Sequence, residues 1–206
     1  MSLPIKWLLG RLGNEEESLL KSFPNLTFEK RDYYSGERGK VMKLMSPKGI
    51  EKLEVVRKYT IKGLRAKGFV GRPPNLRESN LHDFEIYILR NYPYSFESRE
   101  PPYRLFIAPI RMRYLSNIFH PNIEPGPNYG YDGVVCWAAY QAWLPVMTLP
   151  KIVEAFKMLI ENPNPDDPLN VDICLEAARW FKYKGVKLFE KKPSIPRRGP
   201  RVLGMR

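Results

Sequence analysis

Two short segments and one thiol hold the side chains of this sequence that could do chemistry. His120-Pro121-Asn122 is a polar tripeptide, Cys136 follows fourteen residues after the asparagine, and Asp166-Asp167 stand between two prolines. A thiolate is a strong nucleophile toward an acyl carbon, and a nearby imidazole could act as its base. An amide such as Asn122 can donate a hydrogen bond to the oxyanion that forms when an acyl centre is attacked. Taken alone, these residues leave other roles open. Cys136 could be a small buried apolar side chain, and a lone histidine is commonly structural. Asp166-Asp167 could be a solvated turn. Cys174, beside Ile173 and Leu175 in a helical pattern, reads as core.

The pattern around them predicts an α+β fold. Ser46-Pro47 fits an N-cap and first helical position, and Ile50, Leu53, Val56 and Leu64 fall near one face. An amphipathic helix over 47–67 follows, stopping at Gly68, with a loop at 70–80. Upstream, a short helix at Glu15–Leu20 and a strand at Leu26–Tyr34 are expected. Three runs then alternate with period two: Asp83–Arg90, Tyr103–Ala108 and Arg111–Ile118. They predict an antiparallel meander with a turn at Pro109. Residues 119–147 have no period, and their aromatic content argues against disorder. Thr148 caps a helix at 149–161, Asn162-Pro163 ends it, and 171–190 is again helical, in two pieces broken near Gly185. The organisation expected is an extension at 1–45, a core at 46–192 and a basic, disordered tail at 193–206.

Order gives these residues their meaning. His120-Pro121-Asn122 precedes Val135-Cys136, then Trp143-x-Pro145-x-x-Thr148, a helix, and Pro163-Asn164-Pro165-Asp166-Asp167-Pro168-Leu169-Asn170. This succession resembles the ubiquitin-conjugating enzymes, which carry ubiquitin-like proteins as a thioester. The resemblance covers roughly 47–190 of this sequence. It implies a ubiquitin-conjugating-enzyme-like fold, with an N-terminal helix, the meander, a central helix and C-terminal helices. It implies that Cys136 receives the carboxyl terminus of a ubiquitin-like modifier from an ATP-dependent activating enzyme, and that a substrate lysine attacks the thioester. Asn122 would stabilise the oxyanion or order the loop that does; one such donor is worth ~2.7–4 kcal/mol of barrier. Asp167, or failing it Asp166, would orient the attacking lysine and help it lose its proton. His120 and Pro121 would shape the turn that presents Asn122, and Trp143 would support the site by packing. Pro145 and Val146 would form part of a RING-type ligase surface. On the helix expected at 47–67, Lys52, Arg57 and Lys58 would face the activating enzyme. No metal and no organic cofactor is implied.

The sequence also departs from that pattern. The stretch from Asn122 to Cys136 is long and includes Pro125-Gly126-Pro127-Asn128-Tyr129-Gly130, which could cover the thiol or shape a groove. Tyr92-Pro93 and Pro101-Pro102 sit earlier than expected, and Trp137 follows the cysteine without an acidic residue close behind. These departures point to a divergent member of archaeal or bacterial type.

Charge sharpens the choice of partner. The 206 residues carry a net charge of +12, but residues 28–68 hold +7 and 185–206 hold +6, while 114–184 sum to −3. The basic regions therefore lie outside the catalytic half and read as docking devices for acidic protein surfaces. Nucleic acid is the weaker alternative, because no stacking platform or recognition helix is present. A catalytically silent scaffold that only binds a modifier or a ligase is the competing family-like reading, and Cys136 counts against it. No apolar run reaches the ~18–20 residues of a membrane helix. The absence of a signal pattern and the two scattered cysteines imply a reducing, cytoplasmic setting, and no zinc spacing is present.

Overall fold

Ile5, Leu8, Leu12 and Leu19 recur at helical spacing, and the first element is the amphipathic helix α1 (Ile5–Ser22) that this stripe dictates. The computed structural model describes residues 2–97, 106–140 and 142–185. After α1 come β1 (Thr27–Asp32), β2 (Tyr34–Ser35), β3 (Arg38–Ser46), β4 (Gly49–Val70) and β5 (Arg77–Leu89). Then follow β6 (Phe96–Glu97), β7 (Phe106–Ile107), β8 (Ile110–Tyr114), α2 (Leu149–Glu161) and α3 (Asp172–Trp180), the last running on as a π-helical turn to Gly185. The fold is α+β, with an N-terminal helix, an antiparallel sheet and C-terminal helices.

The main sheet runs β2-β3-β4-β5-β8, with β1 also paired to β4. β1 takes Arg57–Lys62 of β4 and β3 takes Gly49–Val55, both on the side away from β5. One face carries α1 and α2. Val56, Tyr59, Ile61, Phe84, Ile86 and Tyr114 pack there with Leu8, Leu12, Leu19, Ile152 and Phe156. The other face holds a smaller cluster of Leu44, Leu53, Val55, Tyr87 and Leu89. A third cluster, around Phe119, Leu169, Ile173, Cys174 and Phe181, seats α3 against the irregular stretch.

Residues 47–67 are not a helix. They form most of β4, and Ser46 closes the hairpin turn instead, its Oγ bonding the Gly49 carbonyl and the Lys48 N–H. The register of β4 against β5 shifts at Val55/Arg57, Ile61/Leu64 and Arg65/Gly68. Each bulge changes which face the next residue meets, and so turns a period of two into spacings that imitate a helix. The N-terminal helix lies upstream, and residues 1–45 supply core side chains (Leu8, Leu12, Leu19, Leu26) rather than a separate extension.

The meander also differs from expectation. β5 pairs directly with β8, whereas Phe106–Ile107 pairs with Phe96–Glu97 in a separate ribbon. Residues 103–105 of that expected strand, the end of the last helix at 186–190 and the tail at 193–206 lie outside the described residues.

Candidate active site

The His120-Pro121-Asn122 turn is held from inside. The His120 Nδ1 accepts the Asn122 N–H at 3.0 Å, and Nε2 meets the Leu159 carbonyl of α2 at 3.0 Å. An accepting Nδ1 places the single proton on Nε2. Burial drives the pKa of this ring down to about 3; the Leu159 bond opposes that shift and His82 adds to it. A neutral imidazole with both nitrogens occupied is not a general base.

Asn122 is 3% exposed, and its amide is fully engaged. Nδ2 donates to the carbonyls of Asn164 (3.0 Å) and Asp167 (2.8 Å), and Oδ1 accepts the Asn164 N–H at 2.8 Å. Its backbone carbonyl accepts the Cys136 N–H at 2.8 Å, and the neighbouring Pro121 carbonyl accepts the Leu169 N–H at 2.9 Å. One residue thus joins the cysteine segment to the proline-rich loop. Both Nδ2 hydrogens are taken, so a direct bond to an oxyanion would require one to be released. Of the two parts expected of Asn122, ordering the loop is the one its hydrogen bonds serve.

Cys136 is half-buried, and its thiol is pushed up, first by burial and then by the charge of Asp167. Asp167 is exposed, with its backbone fixed by Asn122. Asp166 is committed elsewhere. Its carboxylate meets Lys182 at 2.8 Å and its N–H donates to the Asn164 Oδ1 at 3.1 Å. Asp166 is thus tied to Lys182, and Asp167 is the carboxylate whose charge adds to the upward shift of the thiol.

The approach to Cys136 is tightly built. Ile123 bridges Val135 and Arg113 bridges Val134. Gly133 has φ +71°, and a Cβ there would sit 2.1 Å from the Tyr114 carbonyl oxygen, so this position requires glycine. Glu124 closes the base of the long insertion: its N–H donates to the Val134 carbonyl and its carboxylate accepts the Val134 N–H at 3.2 Å. Burial raises the Glu124 pKa, against the pull of those backbone bonds. The insertion itself lies along Leu115 and Ser116, with the Gly126 N–H on the Ser116 carbonyl and residues 127–130 exposed. Trp137 turns inward onto Tyr140 and Phe156. Cys174 is buried in the third cluster and its thiol is pushed up to about 12, chiefly by burial.

The loop before α2 is fastened to α1. Trp143 is buried and donates its indole N–H to the Pro93 carbonyl at 2.7 Å, while Pro145 and Val146 are exposed. Arg11 donates to the carbonyls of Pro145 (2.9 Å) and Met147 (3.1 Å). Glu15 accepts from Arg11, Tyr92 and the Leu149 N–H. Sequence reasoning missed this pair. The available signal was an acid in phase with Leu8, Leu12 and Leu19 on the apolar stripe.

The expected basic helical face does not exist. Arg57 is 6% exposed and lies between Glu16 (2.8 Å) and Asp32 (2.5 Å), Lys58 pairs with Glu85 at 2.6 Å, and Lys52 alone is exposed, on β4. A buried, neutralised guanidinium offers nothing to a partner. Among the described residues no three His, Cys, Asp or Glu side chains group as metal ligands, and no helix is long and apolar enough to cross a membrane.

Comparison with known proteins shows the family of the chain. The sequence model of the ubiquitin-conjugating enzymes matches residues 67–184, more than half of the chain. The chain belongs to the ubiquitin-conjugating enzyme family. Ubiquitin-conjugating enzyme E2 T of Xenopus laevis is 30% identical over 126 residues, covering 61% of this chain and 56% of that protein. E2 T of Danio rerio is 33% identical over 119 residues, covering 55% and 50%. The chain thus spans about half the length of the curated relatives it matches. Among solved structures, a Toxoplasma gondii ubiquitin conjugating enzyme domain aligns with 88% of this chain and 90% of that one, at 19% identity and a TM-score of 0.48. His120, Asn122, Cys136 and Asp167 all fall inside the family match; α1, Lys52, Arg57 and Lys58 fall outside it.

Proposed function

We propose that this chain receives a ubiquitin-like protein from an ATP-dependent activating enzyme as a thioester on Cys136. It then transfers the modifier to a lysine of a substrate protein, assisted by a RING-type ligase. The observation that carries this reading is the Asn122 bridge, which binds the Cys136 segment and the Asp167 loop into one frame.

The chemistry follows from that frame. In charging, the Cys136 sulfur attacks the activated carboxyl carbon, the new C–S bond forms, and the donor group on the activating enzyme leaves with the proton. In transfer, a lysine nitrogen attacks the thioester carbon, the C–N bond forms, the C–S bond breaks, and the nitrogen's proton passes to sulfur or solvent. A free lysine has a pKa of ~10.4 and arrives protonated. Asp167 acts in opposite senses at the two stages. Its charge disfavours the free thiolate. Once the sulfur is acylated and neutral, the same carboxylate attracts and orients the incoming ammonium.

The test is charging of the full chain with activating enzyme, ATP and modifier. The expected product is a mass increase that a reductant removes. Cys136→Ser should give an increase that resists the reductant, because an oxygen ester replaces the thioester. The same labile increase on Cys136→Ala would place the nucleophile elsewhere.

A further inference from the structure

We propose that the exposed outer edge of β3 is a docking site for an acidic, extended protein segment that adds to it as a strand. The hairpin has two unlike faces. One buries Leu44 and Leu53 against Tyr87 and Leu89 of β5, and Glu51 anchors it further through Arg111 of β8 at 2.7 Å. The other presents Val41 (65% exposed), Ile50 (67%) and Met45 to solvent.

The register sharpens the contrast. Met45 lies opposite Ile50, and Lys43 lies opposite Lys52. Like charges directly opposite each other weaken a strand pair, so this choice costs the hairpin stability. Arg38, Lys40, Lys43, Lys48 and Lys52 form no ion pair among the described residues. The nearby acids are all engaged: Glu37 with Arg90, Glu51 with Arg111, and Glu54 with the Gly39 N–H. Cross-strand pairing puts Val41, Lys43, Met45, Ile50, Lys52 and Glu54 on the outward face and Lys40 on the other. The exposed edge of β3 thus carries, on each face, a cation that forms no ion pair among the described residues, with Glu54 as the outward face's own acid. Beyond Lys40, β3 has β4 as its one neighbour among the described residues, so its outer backbone groups are available for pairing.

These features select the occupant. An extended peptide can match the backbone edge of β3 in register, set an acid against Lys43 between apolar side chains on Val41 and Met45, and set another acid against Lys40 on the other face. Edge lysines repel a second copy of the same basic strand. Nucleic acid would leave the apolar residues uncovered, and residues 38–54 contain no aromatic ring on which a base could stack. A membrane surface would engage the turn, whereas the cations run the length of the hairpin. The hairpin lies outside residues 67–184 and away from Cys136 in sequence, so the proposal stands independently of the transfer reaction.

The full chain is tested by fluorescence anisotropy against a labelled peptide that repeats Glu-Glu-Val-Val, which places Glu and Val by turns on each face of a strand. Companion probes are the same peptide with Lys for Glu, the same peptide with Pro at alternate positions, a DNA duplex, and phosphatidylserine vesicles. The acidic peptide should bind, more weakly as salt rises, and the Lys and Pro versions should bind about tenfold more weakly or worse. Lys43→Glu should lower peptide affinity about tenfold while thermal stability holds or rises, because the cross-strand pair becomes attractive. That opposite movement separates binding from folding. No binding of the acidic peptide, equal binding of the Pro version, or tighter binding of DNA or vesicles would overturn the proposal.

Discussion

The carboxylate of Glu15 accepts the backbone N–H of Leu149 at 3.0 Å, so a residue of α1 caps the helix that follows the Cys136 segment. Thr148, at the N-cap position itself, makes no side-chain cap bond. Glu15 also takes the Tyr92 hydroxyl and the Arg11 guanidinium, each at 2.7 Å, and Arg11 reaches on to Pro145 and Met147. The start of α2 and the loop before it are thereby set by the position of α1.

Glu15→Ala should therefore destabilise the protein by about 1–3 kcal/mol, because it strands the Leu149 N–H and leaves the Tyr92 hydroxyl and the Arg11 guanidinium with carbonyl partners alone. Glu15→Gln keeps the shape and one acceptor and should lose less. Urea denaturation measures both. A loss below about 1 kcal/mol for the alanine variant would show that the cap does not carry the helix.

Asn122→Ala should free the 164–169 loop while leaving the thiol in place. Charging of Cys136 should persist, transfer to lysine should fall by about 10²-fold or more, and amide exchange at residues 164–169 should speed up. Asn122→Asp should be worse, since a carboxylate would then face the carbonyls of Asn164 and Asp167. Equal losses in charging and transfer would contradict a role centred on the loop.

Asp167→Asn removes the charge that helps raise the Cys136 pKa. The thiolate fraction at neutral pH should increase, so iodoacetamide should alkylate Cys136 faster and the alkylation profile should shift to lower pH. Transfer to lysine should slow in the same variant. A profile that moves upward, or faster transfer, would refute the two-stage role of this carboxylate. Asp166→Asn, at the residue paired with Lys182, should move the profile less.

Acid should weaken the fold through His120. Its folded pKa, about 3, lies below the unfolded value of ~6.5, so between these limits the unfolded chain binds the extra proton. Stability is retained above pH ~6.5 and lost as pH falls, by up to about 1.4 kcal/mol per unit from this group. His82, also lowered by burial, acts in the same direction. The His120 ring resonance should not titrate down to pH ~5 in the native protein. A native midpoint near 6.5 would mean that burial does not hold the ring neutral.

Much of the site was legible because its residues lie in short contiguous motifs whose local conformation is fixed by proline and hydrogen bonding. His120, Asn122, Cys136 and the 163–170 loop were singled out as one group, and the structure joins them through two carbonyls and one amide. The strands around Phe84-x-Ile86-x-Ile88 and Met112-x-Tyr114 were legible because they alternate without interruption. β4 was not, because its bulges break the alternation and leave Leu53, Val56 and Leu64 at helix-like intervals. α1 was under-read because Gly10 and Gly13 dilute its helical signal and because Glu15 and Glu16, ordinarily surface residues, are buried in ion pairs. The distribution of charge could be counted, but not its exposure: Arg57 belongs to the basic region yet faces Glu16 and Asp32.

The cap on α2 also orders events at the ribosome. Arg57 follows Glu16 by 41 residues, so that contact is available early, whereas the Glu15 carboxylate has no Leu149 to hold until 134 further residues have been added. At ~5–20 residues per second, that interval is roughly 7–27 s. Throughout it α1 lacks its final partner, and part of its leucine stripe stays uncovered. Nascent chains arrested before residue 149 should therefore be the species that chaperones binding exposed apolar segments hold.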